Sequence, residues 1–295
     1  VAKKIVEKKE KEKKLNLLSV NRRSQHVCGC LKPRKGRVFV SSDLSGVEPT
    51  FLLNFSNDST LKAVLQDYIG KEPEWKDGIL LSDSLYVTTM SKTQLLGPTL
   101  ASLPSTWYQL WLANNEEAKK QLGKYYKLAK TAVLAMLYNQ TPAGIVKSFA
   151  AEGMIISIEE ATIMHAQFWS SLPDAHKFML SMQVMFTRAH KKKMPVMGPF
   201  GFPIPSGKPK DAGNRIIQSS VSCFIRQLCA KIFPTPFAEL TCIIHDELIC
   251  EVPEDSVEEY RVHLYQALDE VNSAFALTYP LRLGFNVGHD FYEIH

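Results

Sequence analysis

Arg37-Val38-Phe39-Val40-Ser41-Ser42-Asp43-Leu44-Ser45-Gly46-Val47-Glu48 carries the first decision about the fold. Arg37 to Ser42 is a β-branched, aromatic and hydroxyl-bearing run that suits a short strand, and turn residues from Pro33 to Gly36 stand in front of it. Asp43 follows directly. A strand that runs into a carboxylate presents it at a sheet end, where the backbone stops pairing. Taken alone, Asp43 reads rather as a helix N-cap.

The second decision lies at Ile243-Ile244-His245-Asp246-Glu247-Leu248-Ile249. Leu240 to Val252 reads as a hairpin whose two apolar runs meet at His245-Asp246. Adjacent carboxylates at a tight turn repel each other unless a cation sits between them. A solvated turn is the other reading of the same residues.

Helices are expected over 60–69, 115–138, 158–192, 214–232 and 256–271, the last capped by Asp255 or Ser256. The 158–192 run places Ile163, Phe168, Leu172, Phe178 and Met182 at apolar positions. Residues 70–106 read as an irregular insertion, the Pro- and Gly-rich 194–213 as a loop or hairpin, and the tail from Leu281 as ending in a strand. Strands interleaved with a long helical middle make the fold class α+β.

A third cluster is Lys130, Leu134 and Tyr138, whose spacing of four forms one helix stripe. Asn139 suits a left-handed position after the helix, and Thr141-Pro142 an N-cap followed by Pro at the first helical position. One helix should therefore stop at Tyr138 and another start at once. An ordinary amphipathic helix explains this cluster when it is taken alone.

The chain has 295 residues, 45% apolar and 22% charged, enough for one large domain or two modest ones. That composition excludes collagen, disorder and a small disulfide scaffold. No apolar run approaches the roughly 18 residues of a membrane helix, so no membrane association is expected. The start of the chain alternates Lys with Glu, unlike a signal or transit peptide, and residues 3–14 read as a helix. Residues 1–37 hold 13 Lys/Arg against 3 Glu, and the remainder 22 Lys/Arg against 27 Asp/Glu. A basic arm ahead of a mildly acidic body fits a polyanionic partner, or else a solvated, frayed helix. Cys223, Cys229, Cys242 and Cys250 sit among apolar residues, and Cys28-Gly29-Cys30 has no second pair to complete a metal site. A reducing intracellular compartment without structural zinc follows as the expectation, an organelle included.

Carboxylates on two separate strands can hold two divalent ions about 4 Å apart, the arrangement for in-line displacement at phosphorus. Mg²⁺ favours few carboxylates plus substrate phosphates, and a helix carrying a Lys supplies a cation for a triphosphate.

With these residues the chain resembles the family A DNA polymerases, of the bacterial DNA polymerase I and phage type. Val38 to Glu48 is similar to their motif A, a strand followed by Asp and, five residues on, Glu. Lys130, Leu134 and Tyr138 resemble motif B, and His245-Asp246-Glu247 motif C. Asn214-Arg215-Ile216-Ile217-Gln218 resembles a further helix with Asn-x-x-x-Gln. The likeness runs over residues 20–295.

The resemblance implies a palm with an antiparallel sheet, a helical fingers subdomain, and template-directed DNA synthesis from deoxynucleoside triphosphates on primer-template DNA. It divides the chain into a basic arm (1–20), palm (21–60), fingers (61–203) and palm again (204–295). Asp43, the Leu44 carbonyl and Asp246 would hold two Mg²⁺ ions, with Mn²⁺ as a substitute and Glu247 as an accessory carboxylate. Lys130 would bind the triphosphate and protonate pyrophosphate. Tyr138 would stack near the templating position, and Glu48 would close off the sugar 2′ position. His245, Asn214, Gln218 and Lys210 would meet DNA, Lys210 standing where the family often has Arg.

The chain also departs from the family. Gly46-Val47 replaces Gln-Ile, Pro49-Thr50 replaces Leu-Arg, and Asn139 replaces Gly. Leu134 stands for an aromatic. Tyr126 occupies the motif B arginine position, and Lys127, about 60° round the helix from Lys130, would substitute for it. These departures suggest a phage or mobile-element branch. Only 42 residues precede Asp43, so the expectation is that no exonuclease or whole thumb is present and that an N-terminal segment or separate subunit supplies them. Two other functions share much of the pattern: a single-subunit RNA polymerase-like nucleotidyltransferase, and an inactive nucleic-acid-binding polymerase subunit.

Overall fold

The computed structural model describes residues 25–65, 75–76, 79–80, 130–233 and 235–294. They fall into two units. The first comprises Val1–Ser42, Thr235–Arg261 and Phe285–His295, and the second Asp43–Pro234 and Val262–Gly284.

In the first unit a short helix α1 (Gln25–Cys28) leads to β1 (Arg37–Ser45), which the unit holds as far as Ser42. Gly36 adopts φ 77° in the turn ahead of it, as the Pro33–Gly36 reading requires. Val38 to Ser42 is buried on both faces, the mark of a central strand. The hairpin expected at 240–252 is β6 (Glu239–Ile244) and β7 (Glu247–Pro253), antiparallel with Ile244 opposite Glu247. Strand order is β6-β7-β1, and β9 (Asn286–Gly288) lies antiparallel to β1, with Val40 opposite Val287. Phe39, Ile244, Ile249, Phe291 and Ile294 form the core with Cys28. Arg34 clasps Glu239 and Glu251 across the hairpin at 2.6 Å each. Its guanidinium holds the Glu239 carboxyl below the ordinary carboxylate value through that hydrogen bond.

The second unit is mainly helical: α2 (Val47–Ser56), α3 (Ser59–Leu65), α4 (residues 130–137), α5 (Pro142–Ala151), α6 (Ile158–Ser171), α7 (Pro173–Lys191), α8 (Ala212–Ile232) and most of α9 (Val257–Ala274). It also holds the two-residue pairs β2 (Trp75–Lys76) with β3 (Ile79–Leu80) and β4 (Val196–Met197) with β5 (Pro203–Ile204), both antiparallel. The end of β1 pairs antiparallel with β8 (Arg282–Leu283). Phe51, Phe55, Phe178, Phe200, Phe224 and Phe275 interlock at centroid distances of 4.2–6.3 Å.

Four expectations need correction. β1 does not stop at Ser42: the Gly284 N–H donates to the Asp43 carbonyl at 2.8 Å, and Leu44 and Ser45 pair with β8. Asp43 is therefore a residue of the strand, and the N-cap of α2 is Gly46. The run 158–192 is two helices, because Leu172 precedes Pro173 and takes φ −124°, ψ 64°, outside the helical region. Ile163, expected in the core, is 57% exposed. The tail ends in turns, where Asp290 Oδ1 accepts the Tyr292 and Glu293 N–H groups, and its strands lie earlier. The helices at 3–14 and 115–129, residues 66–69 and most of 70–106 lie outside the described residues.

One organising residue had no sequence reading. Asp58 is fully buried. Its Oδ1 accepts from the Thr60 and Leu61 N–H groups that open α3, and its Oδ2 from the Asp174 and Ala175 N–H groups that open α7. One carboxylate thus satisfies the unpaired donors of two helix starts.

Candidate functional site

In the second unit the chain turns from β1 into α2 at Gly46, which adopts φ 56°, ψ 38°. A side chain is disfavoured there, which accounts for glycine at this departure from the family. Thr50 closes the turn with its N–H and its hydroxyl, both donating to the Gly46 carbonyl. Pro49 falls in the first helical turn, where its missing N–H costs nothing. Glu48 emerges in that same turn.

Glu48 meets two residues from distant segments. Tyr138 Oη donates to Glu48 Oε1 at 2.9 Å, and Gln218 Nε2 lies 3.4 Å from the same oxygen and 3.5 Å from the Tyr138 hydroxyl. Tyr138 is delivered by the end of α4. Ala132, Val133, Met136 and Leu137 bury that helix, while Lys130 is exposed and Leu134 and Tyr138 are half-buried on the other stripe. Asn139 takes φ 51°, and Gln140 N–H returns to the Ala135 carbonyl, closing the helix as expected. The Asn139 side chain also donates to the Lys210 carbonyl at 3.1 Å, a tie that glycine could not make. Thr141 then caps α5, accepting from the Gly144 N–H.

Lys210 is exposed in the 3-10 turn Pro209–Asp211 that leads into α8. Gly213 lets α8 start against α7, because a side chain there would strike Met179. Asn214 Oδ1 is buried and has no hydrogen-bond partner among the described residues; Gln218 stands one turn further on. Lys127 lies outside the described residues.

The first unit carries the other acids. His245 and Asp246 form the two-residue tip of the β6–β7 hairpin, with His245 at φ 59° and exposed. Such a conformation is uncommon for a residue with a side chain and costs about 1 kcal/mol or more. Glu247 is buried, and the buried Ser41 hydroxyl donates to its Oε1 at 2.6 Å. The sequence reads Ser41 only as a strand residue, since a serine two residues before an acid carries no recognisable signal of a partner 206 positions away. Asp246 is half-exposed. In the second unit Asp43 is exposed, with Leu44 buried behind it.

Among the described residues no group of three or more His, Cys, Asp or Glu side chains gathers as a metal cage. The donors at Asp43, Leu44 and Asp246 are carboxylates and a carbonyl. Such hard oxygen donors in small number suit Mg²⁺, which takes few protein ligands and completes its shell with phosphates and water.

No family model matches the chain. DNA polymerase I of Borreliella burgdorferi is 20% identical over 278 residues, 90% of this chain and 26% of that protein. Over most of its length the chain is distantly similar to the family A, DNA polymerase I-like polymerase domain. The thermostable DNA polymerase I of Thermus filiformis is 33% identical over 85 residues, 28% of this chain and 10% of that protein. The polymerase domain of Pol1 from M. smegmatis, solved in complex with DNA primer-template and dNTP, superposes with a TM-score of 0.63 at 15% identity, over 89% of this chain and 41% of that one. The chain therefore spans about a quarter of the Borreliella protein's length and about a tenth of the Thermus protein's. Its α+β architecture, antiparallel sheet with helices, is that of the solved polymerase domain. Among its described residues no helix is long and apolar enough to cross a membrane.

Proposed function

We propose that the chain is the palm and fingers of a DNA polymerase, transferring a nucleotidyl group from a deoxynucleoside triphosphate to a primer 3′-hydroxyl on a DNA template. The observation that carries this reading is the junction of Glu48, Tyr138 and Gln218, drawn from three segments of the chain. A carboxylate held by a tyrosine hydroxyl is a fixed wall, and a fixed wall can refuse a 2′-hydroxyl where a swinging side chain cannot.

Residues 21–60 and 204–295 would form the palm, and 61–203 the fingers. Asp43, the Leu44 carbonyl and Asp246 would hold two Mg²⁺ ions, which would supply Lewis-acid activation of the 3′-hydroxyl and charge neutralisation on the triphosphate. Glu247, fixed by Ser41, would stand beside Asp246 and keep the hairpin tip in one geometry. Lys130 would place its ammonium on the triphosphate and give a proton to departing pyrophosphate, with Lys127 as a second cation. Leu134 would form an apolar surface against the sugar, and Tyr138 would stack beside the templating position. Asn214 and Gln218 carry amide groups suited to minor-groove acceptors and donors. His245 and Lys210 would approach the primer strand.

The test is primer extension by the purified chain on a defined template with each nucleotide set, with and without Mg²⁺. Template-matched, Mg²⁺-dependent incorporation of deoxynucleotides is expected. Ribonucleotide preference would point to an RNA polymerase, and tight DNA binding without incorporation to an inactive subunit.

A further inference from the structure

Residues 38–295 are acidic overall, yet the charge is unevenly placed. Seven of their 22 Lys/Arg and none of their 27 Asp/Glu fall between Ala175 and Lys210. Lys177, Arg188, Lys191, Lys192, Lys193, Lys208 and Lys210 are all exposed. Five of them flank the β4–β5 hairpin at its base, three before it (Lys191, Lys192, Lys193) and two after (Lys208, Lys210).

The hairpin is two-faced. Val196 and Ile204 are buried with Phe186, Ala212 and Ile216, which fixes it to α7 and α8. Phe200 anchors its tip among Phe51, Phe55 and Phe275. Met197 alternates to the opposite face and is 60% exposed, while Met194 just before the hairpin and Phe202 near its tip are exposed by 57% and 44%. Exposed apolar side chains thus stand in a stretch that, between Asp174 and Asp211, carries seven cations and no acid.

Arg188, His190 and Lys191 have a simpler explanation, since cations in the last turn complement the helix dipole of α7. Lys192 and Lys193 lie past that turn. Lys193 adopts φ 52° and closes α7, its N–H on the His190 carbonyl and the Met194 N–H on that of Ala189. This is the position where helices ordinarily place glycine. A lysine there keeps a charge at a conformational cost, and the dipole does not require it.

We infer that the β4–β5 hairpin with Lys191, Lys192, Lys193 and Lys208 forms a nucleic-acid grip additional to the primer-strand contacts proposed for His245 and Lys210, with the cations on backbone phosphates and Met197 and Phe202 against sugars and base faces. Charge complementarity selects a polyanion, and two further features select nucleic acid over an anionic membrane. The exposed apolar side chains sit on a Pro- and Gly-rich hairpin, whereas membrane-surface binding usually relies on a broad amphipathic helix. The chain also passes from β5 through Lys208 and Lys210 directly into α8, which carries Asn214 and Gln218. The inference rests on the proposed function for the identity of the polyanion as DNA, but binding is measured without nucleotide or Mg²⁺, so a chain that fails to extend a primer still tests it.

The experiment is fluorescence anisotropy of a labelled primer-template titrated with the full chain across a salt series. Each phosphate contact contributes about 0.9 to the slope of log affinity against log salt. The triple variant Lys191→Gln/Lys192→Gln/Lys193→Gln should flatten that slope by roughly 2–3. Met197→Ser/Phe202→Ser should weaken binding while leaving the slope in place. Lys193→Gly separates structure from charge: thermal stability should rise as the left-handed residue becomes glycine, while DNA affinity falls. An unchanged slope in the triple variant, unchanged DNA affinity in Lys193→Gly, or lysine-dependent binding to phosphatidylserine vesicles with none to duplex would each overturn the inference.

Discussion

Tyr138 and Glu48 stand 90 positions apart in sequence and share a 2.9 Å hydrogen bond, the tyrosine hydroxyl donating to the carboxylate. The pair joins the end of α4 to the first turn of α2. Each residue arrives there through a left-handed backbone position, Gly46 ahead of Glu48 and Asn139 behind Tyr138. Two turns fixed by local chemistry thus aim two side chains at one point.

If Glu48 walls off the sugar 2′ position, shortening it should admit ribonucleotides. Glu48→Ala should lower the deoxy-to-ribonucleotide ratio of kcat/KM by about 10- to 100-fold, the range for removing one discriminating group. Tyr138→Phe leaves the carboxylate in place without its donor and should shift the ratio the same way by less than about tenfold. Steady-state incorporation of both nucleotide types measures this, and an unmoved ratio in both variants would place sugar selection elsewhere.

Lys130 is exposed at the start of the described part of α4. Its charge would be needed most as pyrophosphate leaves, so Lys130→Ala should lower kcat as well as raise KM. A loss of about 10²-fold or more in kcat/KM is expected, as for other transition-state charge partners. Single-turnover incorporation at saturating nucleotide isolates the kcat component.

Asp58 predicts a stability effect without reference to catalysis. Asp58→Ala strands four backbone N–H groups at the starts of α3 and α7. A cap is worth about 1 kcal/mol and a buried donor left unpaired costs more, so roughly 3 kcal/mol should be lost. Thermal unfolding should show Tm lower by roughly 5–10 °C.

His165, Trp169 and His176 form a small aromatic group on α6 and α7, with Trp169 stacked on His176 at 5.2 Å. Burial first, and then the charge of His176, hold His165 below its ordinary pKa of 6.5. Between the folded value and 6.5 the unfolded chain takes up a proton that the folded chain does not. Stability should therefore fall as pH drops through 6.5 and level off below the folded value. The advantage of wild type over His165→Gln in denaturant unfolding should shrink from pH 7.5 to pH 5.5; a constant difference would contradict this.

Sequence reading was strongest where the signal was local. The Asn139 and Thr141-Pro142 boundary, the His245-Asp246 hairpin tip and the turn at Gly36 each follow from the conformational limits of the residues involved. It was weaker where a local breaker competed with a long apolar period: Pro173 splits 158–192, but the apolar spacing on either side reads as one helix. It was blind where meaning came from a distant partner. Asp58 looks like an ordinary cap for α3, and nothing near it announces α7, more than a hundred residues on. Ser41 and the carbonyl of Lys210 are similar cases, since their partners Glu247 and Asn139 are brought to them only by folding.

The proposed nucleotidyl transfer directed by Asp43 and Asp246 is tested most directly by single-turnover primer extension with Mg²⁺. Asp43→Ala and Asp246→Ala should each slow incorporation by about 10³-fold or more, since each removes an anionic ligand from the proposed metal pair. DNA affinity, measured by anisotropy on the same preparations, should stay within a few fold. Near-normal incorporation by either variant would contradict the account.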